Sequence, residues 1–332
     1  MAGRPVPSSG TLKRAAYPAN DPVIGKWDPN GLRYDYLEAD DGTVHLVDNW
    51  MKLSDFEGLA RYDPDGSNQY HLFTRANPSR SQVLVRNNAG SVTSSNFNRE
   101  RRTIVLMHVL MHGFAGSATS GFNTVLVPAF LQAEDVNVIV LDWSAGSYWG
   151  PRAQQAGEAG GRFLNWLISI TGINPSSLHI LGYSVGGHGA GIMARTVSGN
   201  VGYVTGLDPA DRWDTASLFR PTDGVYTEVI HTNAGDIGYS RPLGDVDFYP
   251  NGGRFMPGCI TSLCDHYRSY YYMAESLVSG GFTGNRCNTW DDAILQRCTG
   301  TDRLRMGGLA PKTGSSGIFF LRTNRNSPFS QG

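Results

Sequence analysis

Residues 178–188 read Leu178-His-Ile-Leu-Gly-Tyr-Ser-Val-Gly-Gly-His188. An apolar run of strand type gives way to Gly182-x-Ser184-x-Gly186 and then to a stretch carrying Gly187, Gly189, Ala190 and Gly191. Ordinary helix formers are missing where a helix should follow, so the small residues serve close approach to a sheet at a cost in helix propensity. A sharp strand-to-helix turn strains the serine backbone and leaves no room for side chains beside it, which explains the two flanking glycines. The helix N-terminus beneath favours developing negative charge. Ser184 is therefore a candidate nucleophile. A tight Gly-Ser turn without chemistry is the plain alternative, and it leaves the run of glycines unexplained.

Working outward, short runs rich in Val, Ile and Leu recur at 103–111, 136–143, 178–182, 201–207 and 225–231, each bounded by Gly, Pro, Asp or Asn. Continuous apolar runs of this length read as strands buried on both faces. Between them, residues 154–170 place Ala156, Ala159, Phe163, Trp166, Leu167 and Ile170 at helical intervals, and residues 185–194 form a small-residue helix. The rhythm predicts an α/β domain over 66–332 with a mostly parallel central sheet flanked by helices. Residues 1–65 are rich in Pro, Gly and Asp and predict an irregular N-terminal extension with little regular core.

The chain has 332 residues, with 28 Lys and Arg against 29 Asp and Glu. Near-zero net charge gives no electrostatic reason to expect nucleic acid as a partner. No run approaches the ~20 apolar residues that span a bilayer, so no transmembrane segment is expected. All four cysteines fall in the C-terminal third, as two close pairs. They allow three connectivities, of which Cys259–Cys264 and Cys287–Cys298 is the simplest. An even count in a loop-rich region suits an oxidising compartment, and spacing for zinc is absent. The N-terminus lacks the apolar core of a secretory signal, so the sequence begins either at the mature end of a secreted protein or at an intracellular start, and the cysteines favour the first.

In α/β-hydrolases a serine on such a turn is followed along the chain first by an acid and then by a histidine. Of eight histidines only His231 and His266 follow position 200. His266 lies in Cys264-Asp-His-Tyr, after a short loop and before the helical run 267–277, and is expected on a flexible loop as the base. His231 ends an apolar strand and reads as structural. Asp208, in Gly-Leu-Asp-Pro-Ala after the run 201–207, is the candidate acid. Asp211, Asp214 and Asp223 follow in a loop and are expected to be solvated. An oxyanion hole needs two backbone N–H groups, one from Val185 and one from the loop His112-Gly-Phe114, where Phe114 is the candidate. His108 and His112 are four apart, but no general-base glutamate accompanies them and the segment reads as a strand; no metal and no other cofactor is expected.

The stretches Leu72-Phe-Thr-Arg-Ala-Asn-Pro78, His112-Gly-Phe114, residues 135–144, residues 182–191, Gly206-Leu-Asp-Pro-Ala210, Asp247-Phe-Tyr-Pro-Asn-Gly-Gly253 and Arg268-Ser-Tyr270 resemble, in content and order, the pancreatic-lipase-like family. The resemblance covers about residues 70–330. It implies an α/β-hydrolase fold and a carboxylic ester hydrolase acting on glycerolipids at a lipid–water interface. Ser184, Asp208 and His266 would form its triad, with Val185 and Phe114 as its oxyanion hole. Three departures stand out: Tyr183 where histidine is usual, Val185 where leucine is usual, and Asp265 beside the base. The four residues between Cys259 and Cys264 stand where family triacylglycerol lipases carry a long lid. Together with the short loop 232–247 and the absence of a C-terminal β-sandwich, this resembles phospholipase A1 and insect neutral lipases and implies no colipase-type partner. A yolk-type storage or lipid-carrying protein of the same fold is the alternative.

Overall fold

In the computed structural model, residues 34–38, 44–48, 62–108, 121–146, 150–211 and 217–332 are described. The chain divides into two compact units, Met1–Leu59 and Ala60–Gly332. The first, read from sequence as irregular, contains two paired strands: β1 (Tyr34–Glu38) runs antiparallel to β2 (Val44–Asp48), with Tyr34 opposite Asp48.

Among the described residues, the second unit has eleven strands in one sheet. They are β3 (Gln69–Phe73), β4 (Gln82–Leu84), β5 (Thr103–Met107), β6 (Asn137–Asp142), β7 (Leu178–Tyr183) and β8 (Tyr203–Leu207). β9 (Thr227–Ile230), β10 (Val246–Pro250), β11 (Thr283–Cys287), β12 (Arg303–Arg305) and β13 (Gly317–Leu321) complete it. In spatial order the sheet runs β12-β11-β13-β10-β9-β8-β7-β5-β6-β3-β4. Every neighbouring pair from β13 to β6 is parallel. The antiparallel pairs β11–β12 and β3–β4 extend its two edges.

Helices α1 (Pro64–Ser67), α2 (Ala89–Thr93) and α7 (Trp290–Ile294) are short, whereas α3 (Gly121–Ala133), α4 (Gly150–Thr171), α5 (Val185–Thr196) and α6 (Ser262–Val278) cover the sheet. Alternation along each strand sorts its side chains between two cores. Ile104, Leu106, Leu181 and Leu207 meet Phe122 and Phe130 of α3 and Tyr270 and Met273 of α6 on one face. Val105, Met107, Ile180 and Val204 meet Phe163 and Leu167 of α4 and Met193 of α5 on the other. Each fully buried side chain of this size contributes about 1.5–3 kcal/mol. Two layers of helix over a mostly parallel sheet make the α/β-hydrolase fold.

The five sequence-read strand runs all fall in the parallel centre. Pairing of Tyr183 with Leu207 brings the C-terminal ends of β7 and β8 side by side. The next residues along the chain, Ser184 and Asp208, therefore emerge from adjacent strands at one edge of the sheet. Ligands of open α/β sheets bind outside this edge.

Candidate active site

Ser184 joins β7 to α5 with φ 57° and ψ −124°, a conformation that L-residues rarely adopt. Its own N–H donates to the Leu207 carbonyl at 2.9 Å. The flanking glycines are sterically required. A Cβ on Gly182 would stand 1.8 Å from the Gly186 carbonyl oxygen, and one on Gly186 would stand 2.4 Å from the Met107 carbonyl oxygen. Val185 opens α5, so its N–H belongs to the first helical turn, where no intrahelical carbonyl is available. Phe114 and His112 lie outside the described residues.

His188, which closes the quoted stretch, is structural. Its Nε2–H donates to the Ala210 carbonyl at 2.9 Å and its Nδ1 accepts the Phe219 N–H at 3.1 Å. Burial pushes the imidazole down to about 4, so it stays neutral. It pins α5 to the segment that follows Asp208.

Asp208 is fully buried and has φ 43°. Its Oδ1 accepts two backbone N–H bonds, from Thr232 at 2.7 Å and Asn233 at 3.0 Å. Its Oδ2 accepts the Nδ1–H of His266 at 2.5 Å. A carboxylate only accepts, so this bond fixes the tautomer of the neutral ring and leaves the lone pair on Nε2. That Nε2 is buried and has no hydrogen-bond partner among the described residues.

His266 does not sit on a loop. α6 begins at Ser262, so the histidine lies in its second turn and is fully buried. The helix starts early because the Thr261 hydroxyl caps it, accepting the Cys264 N–H at 3.2 Å. The disulfide Cys259–Cys264 closes the preceding loop, and Cys287–Cys298 ties β11 to the segment after α7.

Asp265 bonds Met256, not His266. Its Oδ1 accepts the Met256 N–H at 2.6 Å, and burial, partly offset by that bond, pushes its carboxyl up to about 6. His231 takes no part either: its ring bonds the Tyr239 carbonyl at 3.0 Å and Asp247 at 2.9 Å. Asp223, expected to be solvated, is instead buried and chelated by Arg195 at 2.8 and 2.9 Å. An arginine in the last turn of α5 pairs with it. Asp211 is half-buried and Asp214 lies outside the described residues.

Sequence reasoning gave no contact role to Tyr183. Its buried ring lies 4.5 Å from the His266 ring, centroid to centroid. The residue was visible in the quoted stretch, but nothing local signals a contact across 83 positions.

A family model described as lipase matches residues 47–329. The chain is 31% identical to the pancreatic triacylglycerol lipase of Oryctolagus cuniculus, over 79% of this chain and 64% of that protein. It is 35% identical to pancreatic lipase-related protein 2 of Cavia porcellus, over 71% of this chain and 58% of that protein. The chain thus spans less than two thirds of the length of these relatives. Among solved structures, an α/β serine hydrolase without lid from Xanthomonas campestris overlaps 53% of this chain and 79% of its own, with a TM-score of 0.36 at 14% identity.

Proposed function

The chain belongs to the lipase family, and from the site it carries we propose that it hydrolyses carboxylic esters of glycerolipids with Ser184 as nucleophile, His266 as base and Asp208 as the acid. The observation that carries this reading is the buried Asp208–His266 pair with an open Nε2, built beside the strained turn of Ser184. Residues 66–332 form the catalytic domain, preceded by the extension 1–65.

In the first half-reaction the Ser184 Oγ–H bond breaks, its proton passes to His266 Nε2, and Oγ bonds to the ester carbonyl carbon. The carbonyl π pair moves to oxygen, where the Val185 N–H and the Phe114 N–H hold it. His266 then gives its proton to the leaving alkoxide. Water repeats the sequence to release the fatty acid. No metal or organic cofactor enters this scheme.

Phospholipids attacked at sn-1 are the favoured substrate, with triacylglycerol second. The short Cys259–Cys264 loop supports this choice, because only four residues are available there to cover the cleft. Two large apolar side chains are exposed here, Ile260 within the loop at 96% and Phe255, four residues before Cys259, at 82%. The Cys259 N–H donates to the Met256 carbonyl at 3.0 Å, a turn that draws the segments bearing them together. Exposed apolar side chains beside an esterase site suit a lipid surface. Two disulfides suit an oxidising compartment, so the protein is read as secreted. Among the described residues no helix is long and apolar enough to cross a membrane.

The test is fatty-acid release from a phospholipid labelled only at sn-1, run beside a triacylglycerol emulsion with Ser184→Ala as blank. Serine-dependent release from the phospholipid is expected. Release from neither substrate by folded protein would overturn the reading in favour of a storage or carrier protein.

A further inference from the structure

His266 is held along one edge by Asp208, and its ring also has a neighbour. Tyr183, the last residue of β7, brings its ring centroid to 4.5 Å from the imidazole centroid, at an interplanar angle of 41°. Both side chains are buried. Tyr270 meets the Tyr183 ring at 5.2 Å and 85°, edge to face, and Phe122 of α3 lies nearly parallel to it at 5.9 Å and 18°. Tyr270 follows His266 by four residues on α6, so one helix face presents both the base and the ring that fixes the base's neighbour. The Tyr183 ring thus packs against both Phe122 of α3 and Tyr270 of α6.

From this geometry we propose that Tyr183 is a positioning residue acting through His266: its ring stabilises the imidazolium that forms when the base takes the Ser184 proton. The inference rests on the triad reading above and deepens it. An aromatic ring carries negative charge density on its face and attracts a cation whose centre lies within about 6 Å of its centroid. The attraction to a neutral imidazole is much weaker. The ring therefore favours the charged state of the transition state over the neutral ground state, which is the condition for raising kcat without changing KM. Desolvation strengthens the effect, because no water competes for the buried ring. Asp208 already neutralises the imidazolium along the Nδ1 edge, and the Asp265 carboxylate is engaged by the Met256 N–H. Tyr183 contributes through the ring face, a direction that neither carboxylate serves.

The test varies the charge distribution of the ring at constant shape. Phenylalanine, 4-fluoro-, 3,5-difluoro- and 3,4,5-trifluorophenylalanine are placed at position 183, and kcat and KM are measured on a soluble monomeric ester, with melting temperature as a check on folding. Tyr183→Phe is expected to keep kcat within about twofold, since the ring face survives. Along the fluorine series kcat should fall stepwise, by about tenfold in all, at constant KM and constant melting temperature. Tyr183→Leu, which fills the space without a ring, should fall at least as far. A flat fluorine series in an enzyme whose turnover is lost in Ser184→Ala would overturn the inference and leave the triad standing. No ester turnover in the folded wild type would overturn both.

Discussion

Two buried histidine–aspartate pairs stand on neighbouring strands of this protein, and the proposed function assigns chemistry to only one of them. His231 and Asp247 sit at the end of β9 and within β10; His266 and Asp208 join α6 to the end of β8. All four side chains are at most 2% exposed. Both carboxylates accept two backbone N–H bonds, from Leu243 and Gly244 at Asp247 and from Thr232 and Asn233 at Asp208. The pairs differ at the second ring nitrogen. His231 uses both nitrogens, one on Asp247 and one on the Tyr239 carbonyl, whereas His266 uses only Nδ1. Both rings are buried against a carboxylate, and of the two only His266 keeps a nitrogen open among the described residues, which is why the proposal assigns it the role of base. The saturated pair fixes the chain just before Thr232 and Asn233, whose N–H groups hold Asp208.

The widest separation between the pairs is expected from removing each histidine. His266→Ala should lower kcat for a soluble ester by about 10⁴- to 10⁶-fold, and because it leaves Asp208 buried without its ring partner it should lower stability as well. His231→Ala should act chiefly on stability. It leaves Asp247 buried without its ring partner and should cost about 3 kcal/mol of stability in a denaturant titration, with kcat reduced far less. If His231→Ala, measured well below its melting temperature, lost turnover as His266→Ala does, the contrast would be wrong.

The acids give a smaller separation of the same kind. Asp208→Asn should lower kcat by about 10⁴-fold, because an amide N–H at that position would favour the wrong tautomer of His266. Asp247→Asn should leave steady-state kinetics within about tenfold of wild type and act on the melting temperature instead.

Asp265 sharpens the comparison through pH. Its folded-state value of about 6 lies above the unfolded 3.8, so the native state binds the extra proton and ionising it destabilises the fold. Stability from this group is therefore lost as pH rises between about 4 and 6. Asp265→Asn keeps an oxygen acceptor for the Met256 N–H and carries no charge. Its melting temperature should exceed that of the wild type by a few degrees at pH 8, with the difference vanishing at pH 4. A constant difference across that range would show that the carboxyl does not titrate there.

The smallest effect concerns the surface. Phe255→Ser with Ile260→Ser should leave hydrolysis of a soluble monomeric ester unchanged and weaken binding to zwitterionic phosphatidylcholine vesicles by about tenfold, as measured by sedimentation. Unchanged vesicle binding would remove these side chains from the lipid contact.

How far the sequence carried the reading follows from the range of each signal. The turn around Ser184 was legible because its glycines are neighbours in the chain. Asp208 and His266 were reached through an ordering rule, and the structure brings them into one hydrogen bond. The helix 267–277 was read, but its start, which takes in His266, was missed because the Thr261 cap lies inside the cysteine loop and was read as loop. Strand β10 was noticed only as a matching stretch, and β11, with Gly284 and Asn285 at its centre, shows too little apolar character to register. The stacking of Tyr183 on His266 depends on how β7 and α6 meet in space, which no local pattern encodes.

The placement of His266 on a helix has a consequence for how such a protein tolerates change. Its position is set by the Thr261 cap, by Asp208 and by the buried face of α6, all of which lie after Ile260 or elsewhere in the fold. The chain immediately before Thr261 is highly exposed at Ile260 and tethered on both sides by the Cys259–Cys264 crosslink. Residues inserted between Ile260 and Thr261 would lengthen a loop whose ends are already fixed, for a closure cost that grows only with the logarithm of length. That junction is thus a natural grafting point, where a cover of new length or composition can be exchanged while the machinery beneath keeps its register.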